Sequence, residues 1–325
     1  MANITETKFS DIYITPDKKA YIPDKRTSNA LIAFEPEDFE AFYELLEKSW
    51  DGENPSYSVS YHNVFYRIER SATINGIQYC ARKMPAKIAP FNVLGYPKEL
   101  VTYLMSLRKS SGLILWAGPT GSGKTTSISS LLKEYLSTEG GFAYTIEDPT
   151  EQPLDGIYPV STGGLGLCKQ TLPINGQWGE SLKSALRSKP RYILVGEIRT
   201  PDTASEVLRA ATSGHMVLST IHANNVTDAI ASVVKYASAG GMSEDLAYDL
   251  LSRGLLGVIH QSLEGTTVKK PQISFLFANP DTTKGDQVRG IIKTGRLNLA
   301  TSIETQMTRM ARGLGMFPDM KIRDE

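Results

Sequence analysis

The sequence predicts an α/β protein: a parallel sheet covered by helices, preceded by a small α+β domain and followed by a mostly helical C-terminal region. Three observations predict it. Between Gly112 and about Ser238, the apolar runs "LILWAG", "FAYTIED", "YILVGE" and "MVLSTIH" alternate with the helical patterns "KTTSISSLLKEYL", "SLKSALRS", "TASEVLRAAT" and "VTDAIASVVKYA". That alternation is the pattern of strands buried on both faces beneath crossover helices. The first apolar run feeds a glycine-rich turn, "GPTGSGKTT", which opens the first helical pattern. Ahead of this block, "SYSVSYHNVFYRIERSATINGIQYCARKMP" reads instead as a series of strands.

Each element follows from a local pattern. "DIYIT" reads as a strand, and "PEDFEAFYELLEKSW" as an amphipathic helix whose acidic residues suit its N-terminal end. Asn75-Gly76 supplies a hairpin turn within the strand series. Together these pieces define a domain over residues 1–90. Before His62 acids outnumber bases, whereas from His62 to Ser111 bases dominate, with Arg67, Arg70, Arg82 and Lys83 among them. That stretch suits an anionic neighbour. "AKIAPFNVLGYP" leads into a linker over 91–111, and the parallel-sheet domain spans 112–265. Toward the end, "SEDLAYDLLSRGLLGVIHQSL", "QISFLFA" and "LNLATSIETQMTRMARGLG" read as helix, strand and helix, with 266–325 forming the C-terminal region.

Composition removes several classes. Lys and Arg total 35, matched by 35 Asp and Glu, so no global field favours nucleic acid or anionic lipid, and direct nucleic-acid binding is not expected. Cys80 and Cys168 lack CxxC spacing, which leaves neither a disulfide framework nor a four-cysteine zinc module and points to a reducing cytosol. The start "MANITETKFSDIYITPDKK" has no apolar signal core, and no apolar run approaches the roughly 20 residues of a membrane span. Work at a membrane would be done by docking from outside it.

The turn carries the chemistry. Gly118 to Thr125 fits G-x-x-x-x-G-K-[ST], in which backbone N–H groups of the turn and the helix N-terminus surround phosphate oxygens. Lys124 would reach the β- and γ-phosphates and the Thr125 hydroxyl would ligate Mg²⁺. The candidate phosphate-binding set is Gly118, Pro119, Thr120, Gly121, Ser122, Gly123, Lys124, Thr125 and Thr126. A chance match is made rarer by the preceding strand and following helix.

Other candidates lie at strand ends. In "YILVGEIR" an apolar strand ends in Gly196-Glu197, and a carboxylate there sits in the crevice where open α/β sheets bind ligands. Glu197 is therefore placed to orient or deprotonate an attacking water, with a solvated glutamate as the alternative. "TIEDPTE" offers Glu147, Asp148 and Glu151, either as loop solubility or as carboxylates holding metal-bound waters, and Pro149 fixes the chain direction so that Glu151 turns back toward the site. "SGHMVLSTIH" brings His215 and His222, which face opposite sides of one continuous strand, arguing against a shared metal. His222 is positioned to hydrogen-bond a γ-phosphate, or is a structural histidine. His62 and His260 carry no pattern. "TKGD", Thr283 to Asp286, resembles a guanine-selecting motif but is distant from the phosphate turn and reads as a polar turn.

Taken in order, "GPTGSGKTT", "TIEDPTE", "ILVGEIR" and "TSGHMVLSTIH" resemble the Walker A, Asp box, Walker B and His box of the secretion ATPase superfamily. Within it the chain resembles PilT-type pilus-retraction ATPases and the related DotB-like motors of type IVB secretion and conjugation. "SDIYI", "YRIERS", "ARKMP" and "RGIIKTGRLNLATSIETQ" extend the likeness over most of the chain. The resemblance implies a homo-hexameric ring, a RecA-like ATPase domain, a PAS-like N-terminal domain, and ATP with Mg²⁺ between them. It implies that Lys124 and Thr125 are the phosphate and Mg²⁺ residues, Glu151 the functional Asp-box glutamate, partly through metal-bound water, Glu197 the catalytic glutamate and His222 the His-box histidine. Arg67 and Arg82 match N-terminal-domain arginines near phosphate. Thr200 stands where relatives often have aspartate, and "STIHANN" differs from the usual run. The missing zinc-binding cysteines and the lack of an extra N-terminal domain argue against the pilus-assembly and type II secretion branch.

The reading is a cytoplasmic ring ATPase, peripheral to the inner membrane, that transmits motion to inner-membrane platform proteins of a pilus or secretion apparatus. A nucleic-acid-dependent RecA-like motor is one rival, disfavoured by the neutral charge. A nucleotide-switched scaffold with little turnover is another.

Overall fold

The computed structural model describes residues 3–24, 30–265, 270–281, 283 and 285–318. They form two compact units, Met1–Ile88 with Pro149–Pro153, and Ala89–Asp148 with Leu154–Glu325.

The first unit begins with β1 (Asp11–Ile14), β2 (Ala20–Pro23) and β3 (Leu31–Phe34), followed by α1 (Phe39–Ser49), β4 (Ser56–Tyr61), β5 (Val64–Thr73) and β6 (Gly76–Lys83). The strands make a six-stranded antiparallel sheet in the order β3-β2-β1-β6-β5-β4. Phe42 and Leu46 form the buried face of α1, and Phe42 meets the rings of Tyr61 and Tyr66 edge-on at 5.2 and 5.0 Å. β2 and β3 were not expected from sequence, because each is a four-residue piece at or close to a turn-forming proline, Pro23 or Pro36.

The hairpin turns correct a second expectation. Thr73 pairs with Gly76, so Ile74-Asn75 make the turn and Gly76 opens β6 with φ of +123°. A Cβ on Gly76 would lie 3.1 Å from Pro16 Cβ, so the glycine serves a close approach at the strand start. The left-handed two-residue turn is His62-Asn63 between β4 and β5, with φ of 47° and 61°. Positive φ at both central positions is the type I′ geometry that matches strand twist.

The second unit contains α2 (Lys98–Ser106), β7 (Gly112–Ala117), α3 (Lys124–Thr138), β8 (Gly141–Ile146), β9 (Gly156–Pro159), β10 (Leu165–Thr171), α4 (Trp178–Arg187), β11 (Tyr192–Val195), α5 (Pro201–Ala211), β12 (Met216–Ile221), α6 (Val226–Ala239), α7 (Glu244–Gly254), β13 (Leu255–Glu264), β14 (Lys270–Phe277), α8 (Gln287–Lys293) and α9 (Ala300–Ala311). An eight-stranded sheet runs in the order β14-β13-β7-β12-β11-β8-β10-β9. β13 through β10 are parallel, and β14 and β9 are antiparallel edges. Every residue of β7, β11 and β12 is buried, as expected of strands covered on both faces. Leu113, Leu115 and Ala117 of β7 join the core formed with α4, α5, α6 and α7. The intervening Ile114 and Trp116 point to the other face.

The stretch "SEDLAYDLLSRGLLGVIHQSL" is not one helix. α7 stops at Gly254 and the rest becomes β13, which pairs with β7. Leu255 to Ile259 are buried as a continuous run, and a position between β7 and β14 rewards extended backbone in a segment too apolar on all sides for an exposed helix. "QISFLFA" pairs with it as β14, so the expected appendage contributes a strand to the main sheet.

Candidate functional site

The candidate site forms at the C-terminal ends of the parallel strands. β7 lies between β13 and β12, and the chain leaves β7, β12, β11 and β8 at the glycine turn, His222, Gly196-Glu197 and Glu147 respectively. Ligands of open α/β sheets bind in the crevice outside these strand ends.

Gly118, Gly121 and Gly123 have φ of +145°, +74° and +85°, a region that side chains with a Cβ adopt only with strain. Their surroundings differ. A Cβ on Gly118 would lie 2.1 Å from the Gln261 carbonyl oxygen and one on Gly123 2.9 Å from Gln261 Nε2, whereas one on Gly121 would meet nothing within 4 Å. Gly118 and Gly123 therefore face protein, and Gly121 faces open space. Gly123 is the N-cap of α3 and provides no side-chain cap, so the first N–H groups of that helix are offered to an outside acceptor.

Lys124 is buried, and its Nζ donates to the Gly118 and Pro119 carbonyl oxygens at 2.8 Å each. An ammonium curled over its own turn is in place to meet an anion seated there. Thr125 and Thr126 are half-buried in the first turn of α3, Ser122 is buried, and Pro119 and Thr120 are exposed. Beneath the turn, Gln261 Nε2 donates to the Ser122 carbonyl at 2.6 Å while its Oε1 accepts from Ser127 Oγ at 3.0 Å and from the Tyr96 hydroxyl. Trp116 Nε1 donates to the Tyr96 oxygen at 2.9 Å. Burial pushes the Tyr96 phenol up to about 12, so it remains a neutral hydroxyl in this network.

His222 Nε2 lies 2.8 Å from Thr120 Oγ1, linking the end of β12 to the turn. His215, at the other end of β12, has Nδ1 2.5 Å from the Pro190 carbonyl. The two histidines lie at opposite ends of β12, and among the described residues no three His, Cys, Asp or Glu groups are placed to hold a metal ion. Glu197 is half-buried, and its Oε2 accepts from Arg199 Nε at 2.6 Å and Nη2 at 2.5 Å. Glu147 is buried with Oε1 accepting from Gln170 Nε2 at 2.8 Å, and Asp148 is exposed.

The remaining sequence candidates lie in the first unit. Arg67 and Arg82 are direct cross-strand partners on β5 and β6. Arg82 Nε donates to Asp11 Oδ1 at 2.7 Å. Like charges directly opposite each other are unfavourable without an anion between them, and Asp11 supplies one for Arg82. Glu151 is exposed in the Pro149–Pro153 segment, which groups with the first unit, where Ser58 Oγ lies 3.3 Å from Thr150 Oγ1. Of "TKGD", Lys284 lies outside the described residues.

Sequence reasoning missed three participants. Arg199 stood inside a quoted motif, but a salt bridge over two residues leaves no periodic signal. Gln261 was hidden in a segment read as helix, and Tyr96 in a segment read as linker; only strand pairing brings them beneath the turn.

Strand order, parallel direction and the place of the turn put the second unit in the RecA-like class of P-loop α/β proteins. The chain belongs to the type II/IV secretion system protein family, whose model matches residues 51–300. The type IV pilus assembly ATPase PilB of Acinetobacter baylyi is 35% identical over 169 residues, 51% of this chain but 28% of PilB. The chain thus spans well under half of that relative's length. A crystal structure of the pilus retraction motor PilT with bound ADP superimposes with a TM-score of 0.70 at 26% identity, covering 97% of this chain and 91% of PilT. The Legionella pneumophila ATPase DotB shares the fold with a TM-score of 0.67 at 20% identity, over 94% of this chain and 89% of that one. Among the described residues no helix is long and apolar enough to cross a membrane.

Proposed function

We propose that this protein is an ATPase motor that powers a type IV pilus or a type IVB secretion or conjugation apparatus, working as a homo-hexamer on the cytoplasmic side of the inner membrane against platform proteins. The observation that supports it most directly is the turn at the end of β7. Its outward-facing Gly121, uncapped helix start and buried Lys124 fit a nucleotide polyphosphate.

In this reading Lys124 holds the β- and γ-phosphates, the N–H groups of residues 118 and 120 to 126 surround their oxygens while Pro119 shapes the turn, and Thr125 gives a hydroxyl to Mg²⁺. The metal, when bound, neutralises charge on the phosphates. Thr125 and, through water, Glu151 are the residues proposed to hold it. Glu197 orients and deprotonates the attacking water once Arg199 yields its carboxylate. His222, poised by Thr120, contacts the γ-phosphate. Arg67 and Arg82 stabilise charge on the transferring group. The corresponding domains are 1–90, a linker at 91–111, an ATPase domain at 112–265 and a C-terminal region at 266–325.

The test is phosphate release from ATP with Mg²⁺ by the full chain, beside ADP binding by calorimetry. Hydrolysis in the wild type and loss of ADP binding in Lys124→Ala are expected. A wild-type chain that binds nucleotide without turnover would support the scaffold reading and overturn the motor.

A further inference from the structure

Resting on the reading that the turn holds nucleotide phosphate, we propose that Gln261 is a positioning residue for that turn, and that Tyr96 fixes its amide from the linker. Gln261 is buried on β13, and its neighbour His260 pairs with Ala117, the last residue before the turn. Both parts of Gln261 are used. Its backbone oxygen occupies the space where a Cβ of Gly118 would stand, and its side chain lies against Gly123. The turn is therefore seated on this one residue at its first and last glycines, while the glycine between them faces the open side.

The orientation of the amide is determined by its neighbours. The Ser122 carbonyl can only accept, so Nε2 faces it, and Oε1 is left to accept from the Ser127 and Tyr96 hydroxyls. Donation runs in one direction, from Trp116 Nε1 to Tyr96, from Tyr96 to Gln261, and from Gln261 to Ser122. Trp116 precedes the turn and Ser122 lies within it, so the chain of bonds closes a loop around its base.

Tyr96 also ties this loop to the linker. Its ring lies 4.9 Å from that of Phe91, whose backbone N–H donates to Glu134 Oε1 on α3 at 3.4 Å. Gly95, with φ of +85°, lets Pro271 of β14 approach its Cβ position to 3.1 Å. The linker is thus fastened both to the base of the turn and to the helix that follows it. A displacement of residues 91–96 removes a donor from Gln261 Oε1 and loosens the carbonyl of Ser122 by the same network.

A buried glutamine that only satisfies neighbouring groups would contribute to stability without affecting ligand affinity. Gln261→Glu keeps the shape and the two acceptor contacts but replaces the donor to Ser122 with an oxygen and places a negative charge beneath the turn. It should raise the Kd for ADP and the KM for ATP about tenfold or more, since the lost hydrogen bond and the added charge act in the same direction, whereas the uncharged Tyr96→Phe isolates the network. Its kcat should stay within about twofold, because the lost interaction is made in ground and transition states alike. Tyr96→Phe removes one hydroxyl, keeps the ring packing, and should weaken ADP about threefold, and the double variant should be no weaker than Gln261→Glu by more than about twofold, since one network is cut twice.

These constants are measured by calorimetry and steady-state turnover beside the melting temperature. A fall in melting temperature with unchanged ADP affinity in Tyr96→Phe and Gln261→Glu overturns the assignment and leaves a structural glutamine. Failure of the wild type to bind ADP overturns the nucleotide reading first, and this assignment with it.

Discussion

Placing a methyl group on two glycines of the same turn should have unequal consequences. In Gly118→Ala the new Cβ would stand 2.1 Å from the Gln261 carbonyl oxygen, a backbone atom held in the β13 ladder, and φ is +145°. Relief requires the turn or β13 to move. Overpacking a well-packed position costs about 1–3 kcal/mol, and a residue held in a sparsely populated backbone region costs about 1–3 more, so a loss of about 2–6 kcal/mol is expected. In Gly121→Ala the Cβ meets nothing within 4 Å and only the left-handed φ of +74° opposes it, a cost of about 1–2 kcal/mol. Urea unfolding followed by Trp116 and Trp178 in a Trp50→Phe background reads the second unit by itself. With a slope of about 3 kcal/mol per molar, Gly118→Ala should lower the midpoint by about 0.7–2 M and Gly121→Ala by about 0.3–0.7 M. ADP affinity should fall in Gly121→Ala, because its methyl enters the open side of the turn. Equal midpoints for the two variants would refute the reasoning, since they would mean that Gln261 does not brace the turn at Gly118.

Three further outcomes are expected, two of them from the proposed function. Glu197→Gln should retain ATP binding and lose about 10²-fold or more in turnover, the usual contribution of a positioned base, and near-normal phosphate release would remove Glu197 from that role. Arg67→Ala should lower turnover far more than ATP affinity, by about 10³-fold if it acts as an arginine finger; normal turnover of the Arg67→Ala, Arg82→Ala double variant takes both off the site. Burial pushes the His260 imidazole below its ordinary value, aided by Lys124 and opposed by a bond to the Ala223 backbone and by Asp228. The unfolded chain then binds the proton more readily, so stability should fall as pH drops below about 6.5. The urea midpoint of His260→Gln should depend less on pH between 5 and 7 than that of the wild type, and parallel curves would contradict this.

The linear pattern was most informative where periodicity and local spacing act alone. The alternation of buried strands and helices from β7 to α6, the turn from Gly118 to Thr125, and the carboxylates and histidine at strand ends could all be read along the chain, because a strand end is where the crevice of a parallel sheet must lie. Local signals failed at short elements and at competing ones. β2, β3 and β9 are four residues each and contain or lie near Pro23, Pro36, Gly156 or Pro159, which read as turn residues, and the hairpin glycine at residue 76 looked like a turn residue although it opens a strand. The segment from Glu244 to Glu264 has apolar residues spaced for a helix in its first half and packed continuously in its second, and only a free edge beside β7 decides that the second half extends.

Sequence by itself determined the class of this protein and the glycine turn after β7, since a glycine at each strained φ and a lysine at the helix start are local requirements that any surrounding structure must satisfy. Tertiary structure alone decided what holds that turn. Gln261 and Tyr96 are 165 residues apart, Thr120 and His222 are 102 apart, and Arg67 meets Arg82 only because β5 and β6 pair in one register. No local preference encodes such distances along the chain; they follow from strand order, which is set by the burial of whole faces rather than by any one residue.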